Sequence, residues 1–187
     1  MMTALARRRY IETIPDTLLR EPLNFIFADH YRQRVVCTLL EELADAATLN
    51  AAKAEEVVDF LANDMARHVL DEEEDLFPLL RRRCAPEDEI EAILNQLALE
   101  HAADERLGRD LVVALGALIA AGTAPRIRPK VRELMLDFAR RQRRHLMVEN
   151  NIVLPIARTR LLDADLAGLT RRMAARRSGT MAAVPDN

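Results

Sequence analysis

Six side chains have the types and spacing to do chemistry. His30, His68, His101 and His145 are all the histidines of the chain, and two of them are followed four residues later by a glutamate, Glu72 and Glu149. On an α-helix that spacing stacks both side chains on one face, a turn apart. The faces are otherwise apolar. Leu61, Met65, His68, Glu72 and Leu76 line one of them; Leu134, Phe138, His145, Glu149 and Ile152 line another; Leu94, Leu97, His101 and Gly108 line a third. Imidazoles and carboxylates turned into an apolar interior are costly without a partner. A metal supplies one, since both groups are common ligands for iron, manganese and zinc. If Glu72 and Glu149 each bridge two metals, every metal receives two nitrogens and two carboxylate oxygens. A bridging oxo or hydroxo group makes each five-coordinate and leaves a position for a small ligand. One His-x-x-x-Glu is common as a surface pair, and one buried His is common in any core. Two such pairs, with a His on each remaining helix, carry the metal reading.

Positioning these groups takes four helices, and the breakers of the sequence mark them. Pro22 suits the first turn of a helix that runs to about Ala47, with Leu23, Phe27, Leu39, Leu40 and Leu43 at helical spacing. A second helix starts near Ala51, is kinked or restarted at Pro78 and ends near Cys84. Pro86 followed by Glu87, Asp88 and Glu89 opens a third, which stops at Gly122. Pro129 opens the fourth, and a shorter amphipathic helix follows from Asp163. The expected fold is all-α, an up-down-up-down four-helix bundle with a short extra C-terminal helix. Residues 1–21 read as an N-terminal extension, 22–160 as the metal-binding bundle and 161–187 as a helix with a loose tail. No repeat of fixed period interrupts this plan.

Composition agrees. Of 187 residues, 50% are hydrophobic and 30% charged, with only 5 Gly and 8 Pro, which excludes disordered and collagen-like chains and favours helices. A net charge of −3 gives no basic field to draw nucleic acid, and no Trp and two Tyr leave little for base stacking. The run Leu111 to Ala121 falls short of the roughly 20 residues a bilayer requires, and no leader is read in Met1 to Tyr10. Two cysteines, Cys37 and Cys84, make no disulfide framework, so a cytoplasmic setting is expected.

The order H, H-x-x-x-E, H, H-x-x-x-E resembles the hemerythrin-like (HHE cation-binding) family, over about Pro22 to Arg160. The segments from His68 to Pro78 and from His145 to Pro155 resemble its E-E-x-x-L-F-P signature. The resemblance implies a four-helix bundle holding a non-haem di-iron centre, with His30, His68, His101 and His145 as terminal ligands and Glu72 and Glu149 as bridges. Oxygen-carrying hemerythrins have a fifth histidine where this chain has Glu105, and a carboxylate five residues after the last histidine instead of four. In that respect the pattern is closer to di-iron proteins that repair nitrosatively damaged iron centres and to the iron-sensing F-box domain. Two iron ions meeting oxygen, nitric oxide or peroxide in a stress response form the leading expectation. A non-catalytic iron or oxygen/redox sensor, and a structural zinc or manganese bundle, are the alternatives; enzyme and sensor are left open. A protein partner or a homo-oligomer is compatible with either.

The remaining features have plainer expectations. Asp71 to Asp75 reads as a mostly solvated face with only Glu72 inward and Asp75 at its edge. Glu100 reads as a surface carboxylate or the lining of an access path, Glu105 as a solvated residue or proton relay, and Cys37 as a small core residue. Arg140 to Arg144 and Arg171, Arg172, Arg176 and Arg177 read as solvated helix charge.

Overall fold

The computed structural model describes residues 9–178, and among these every regular element is helical. We label five helices: α1, Pro22–Asp45; α2, residues 51–83; α3, Ile90–Ala121; α4, residues 129–160; and α5, Asp163–Arg177. The readings made for Met1 to Arg8 and for the tail beyond Ser178 lie outside the described residues. Prolines at the first position open α1 and α4, where a missing N–H costs nothing. The Asn50 side chain caps α2 by accepting from the Lys53 N–H at 3.1 Å. Gly122, at φ +58°, ends α3 in the left-handed conformation that glycine adopts without strain.

Cross-helix bonds establish the up-down-up-down path. Arg32 of α1 reaches Asp64 of α2, Arg81 of α2 reaches Glu91 and Asn95 of α3, and Arg158 of α4 reaches Asn24 of α1. Two apolar clusters fill the bundle. One contains Ile26, Leu76, Leu94 and Leu97; the other contains Leu40, Leu111, Leu115 and Phe138. The six candidate residues lie in the layer between them.

Four local features refine or correct the sequence expectation. The chain passes through Pro78 and Pro155 in helical conformation, because the turns before them are widened into π turns, Asp71–Leu76 and Glu149–Val153. A proline cannot donate to the carbonyl four residues back and its ring crowds that carbonyl; a wider turn accommodates both. The extra residue rotates the downstream side chains by about 100° around the helix axis. Val153, 1% exposed, therefore takes the inward place expected of Ile152, which is 36% exposed. In α1, Phe27 is 50% exposed, while Phe25 and Ile26 take the inward places. Pro86 opens only a 3₁₀ turn; Glu89 then adopts φ +48°, and α3 begins at Ile90.

The fourth departure is the largest. The acidic run is no solvated face: Asp71 and Asp75 are buried beside Glu72. Leu169 and Met173 of α5 are fully buried against the bundle, worth about 1.5–3 kcal/mol each. That docking brings Arg172 to Asp75, Arg176 to both Asp71 and Asp75, and Arg177 to Asp71. The arginines of α5 expected to be solvated are, in three of four cases, the counter-charges of this buried pair. Exposed Arg171 alone fits the expectation.

Candidate metal centre

All six sequence-selected residues meet in the middle of the bundle. His30 from α1, His68 and Glu72 from α2, His101 from α3, and His145 and Glu149 from α4 are each at most 5% exposed. They form two groups whose ligating atoms lie within 4.8 Å of one another: His30, His68, Glu72 and Glu149 in one, and His101, His145, Glu72 and Glu149 in the other. The groups share both carboxylates. His30 Nε2 lies 3.3 Å from Glu72 Oε1 and 3.4 Å from Glu149 Oε2. His68 Nε2 and His101 Nε2 each lie 3.3 Å from Glu72 Oε2, and His145 Nε2 lies 3.0 Å from Glu149 Oε1. Two atoms bound to one ion at about 2.1 Å are about 3.0–3.4 Å apart for right-angled to tetrahedral geometry. These separations fit such an ion.

The outer ring nitrogens are engaged in a closed cycle. Asp29 of α1 lies 3.2 Å from His68 Nδ1 on α2, and Glu73 of α2 lies 2.8 Å from His101 Nδ1 on α3. Glu100 of α3 lies 3.0 Å from His145 Nδ1 on α4, and Asn150 Oδ1 of α4 lies 2.8 Å from His30 Nδ1 on α1. Every acceptor is the chain neighbour of one of the six residues and serves the histidine of the next helix. An acceptor at Nδ1 selects the tautomer with hydrogen there and turns the Nε2 lone pair inward. Of these four residues, sequence reasoning singled out only Glu100. The available signal was a polar residue directly beside each inward one.

The interior then presents a conflict that a cation resolves. His101 Nε2 and His145 Nε2 face each other at 3.0 Å while their Nδ1 atoms face carboxylates. Neutral rings donating from Nδ1 set two lone pairs against each other. Glu72 Oε2 and both oxygens of Glu149 are buried and accept no hydrogen bond among the described residues. Without metal, protons provide the remedy. Burial opposes charge on His101, but Glu149, Glu72 and Glu73 outweigh it and push the ring up to about 12. Burial also opposes the raised values of His68, where Glu72 and Asp29 prevail, and of His145, where Glu149 prevails. Burial would raise Glu72, yet His68, His101 and His30 hold it well below the usual carboxylate range.

The other singled-out residues lie outside this cluster. Glu105 is exposed and pairs with Arg109 at 2.5 Å. Cys37 is fully buried, and that burial pushes its thiol up to about 12, as for a core residue. Arg140 and Arg141 pair with Asp137, and Arg143 with Glu41. No helix among the described residues is long and apolar enough to cross a membrane. No curated protein sequence matches the chain. Residues 21–157 match the family model of the hemerythrin HHE cation-binding domain.

Proposed function

The chain belongs to the hemerythrin HHE cation-binding family, and from that premise we propose that residues 22–160 hold two iron ions through His30, His68, Glu72, His101, His145 and Glu149. The observation that carries the reading is the facing pair of Nε2 atoms on His101 and His145, 3.0 Å apart beside carboxylate oxygens that accept no hydrogen bond among the described residues. Glu72 and Glu149 belong to both four-residue groups, which supports a bridging role for each. Iron bound there supplies redox chemistry toward a small ligand, oxygen, nitric oxide or peroxide, consistent with a part in oxidative or nitrosative stress or in iron-centre repair. Asp29, Glu73, Glu100 and Asn150 hold the rings in register, and the apolar cluster around Ile26, Leu76, Leu97 and Val153 shields one side of the centre from water. The free thiols Cys37 and Cys84 accord with a cytoplasmic setting. The donor set also suits zinc or manganese. Metal content per chain, after anaerobic loading of apoprotein with ferrous iron, tests the reading. Close to two irons per chain is expected; one or none would overturn the dinuclear assignment.

A sensor role is the second reading, and the grip of α5 on the turn bearing Glu72 favours it. A metal held by Glu72 would fix the turn that carries Asp71 and Asp75, and with it the seat of α5. A sensor predicts that metal removal opens α5 to proteolysis without any catalytic turnover.

A further inference from the structure

Two amides of the core are only half bonded. Gln33 of α1 and Gln142 of α4, 0% and 4% exposed, meet with Gln142 Nε2 donating to Gln33 Oε1 at 2.7 Å. Gln33 Nε2 and Gln142 Oε1 find no partner among the described residues. Exchanging N and O in both amides leaves the same remainder, one free donor and one free acceptor. Buried polar groups of folded proteins are normally satisfied, by water or a ligand where protein atoms do not reach. The place of this pair in the bundle is specific. Gln33 follows His30 by three residues and Gln142 precedes His145 by three. Along antiparallel helices both steps lead to the same side of the six-residue cluster, about one turn away. On α3, Asp104 stands three residues past His101 on that side, and its Oδ1 is also buried without a partner among the described residues. The opposite side is sealed by Ile26, Leu76, Leu97 and Val153, each at most 1% exposed. Unspent hydrogen-bonding capacity thus lies between the six-residue cluster and the apolar cluster around Leu40 and Phe138.

We propose that Gln33 and Gln142 form a subsite for one small hydroxyl-bearing molecule, water or hydrogen peroxide, which accepts from one amide and donates to the other. Its place beside a metal rests on the reading of the six residues as ligands. The amide pair itself does not.

Two NMR measurements test the subsite. In the metal-free chain, the Gln33 side-chain amide, assigned by its loss in Gln33→Met, is expected to show a cross-peak to a long-lived water. In zinc-loaded protein, which does not reduce peroxide, titrated hydrogen peroxide is expected to shift the same amide saturably. Gln142→Leu should weaken that binding about tenfold, the effect of one hydrogen bond. A response to either molecule supports the subsite and identifies its occupant; a Gln33 amide that sees neither overturns it. Zinc content of wild type and Gln142→Leu keeps the two readings apart. Failure to take up zinc counts against the ligand set, while the water measurement still decides the amide pair.

Discussion

Glu72 and Glu149 each follow a histidine by four residues and precede a proline by six, and each lies in a π turn. Beyond that likeness, their turns are held in different ways. Around Glu72, Asp71 and Asp75 are buried and met by three arginines of α5. Around Glu149, Asn150 reaches His30, Asn151 is exposed and donates to Met147 O at 2.7 Å, and Ile152 is partly exposed. No arginine clamp crosses this second turn among the described residues. The local pattern places a carboxylate; a distant helix determines how firmly it is held. The turn at Glu149 is accordingly expected to open more readily than the turn at Glu72.

The likeness breaks first. Glu72→Ala and Glu149→Ala should each abolish dinuclear binding, while Glu74→Ala should leave metal content unchanged. Two metals in either bridge variant would remove that residue from the ligand set. The difference comes next. Removing one partner of a buried charge costs about 3–5 kcal/mol when nothing replaces it, and with Arg172 and Arg177 still present Arg176→Ala should cost about 2 kcal/mol in denaturant unfolding. Asn151→Ala in the opposite turn should stay within about 0.5 kcal/mol. Equal losses would mean that the clamp does not distinguish the turns.

A pH series sharpens the comparison further. His101, pushed up to about 12, is protonated in the metal-free chain at neutral pH, and His68 and His145 are raised by their carboxylate neighbours. Their contribution to stability is fully present below the unfolded value of about 6.5. It fades as pH rises toward about 12, the value for His101. Metal must displace the same protons, so its affinity should rise with pH and loading should release protons, measurable by calorimetry in two buffers. Apoprotein stability and metal affinity should therefore slope in opposite directions; parallel slopes would mean the rings are neutral. The smallest effect is expected at Glu105→Ala, which should leave metal content unchanged and stability within about 0.5 kcal/mol.

The four-helix plan and the six central residues were legible because apolar periodicity and the spacing of four are local properties of a helix. The cycle of Asp29, Glu73 and Asn150 was not, since each serves a ring on another helix and reads locally as a surface polar residue. The buried Asp71 and Asp75 escaped for a related reason: their counter-charges lie about 100 residues away on α5. Ile152 failed because a π turn breaks the 3.6-residue period used to place it.

Those two π turns also bear on how relatives of this chain are lined up. Each is one residue longer than an α-helix would need over the same rise. A protein lacking that residue between the carboxylate and the proline would swing everything downstream onto another face, even with every motif letter intact. The count of residues between carboxylate and proline, and not only their identity, is therefore expected to set which downstream side chains face the centre.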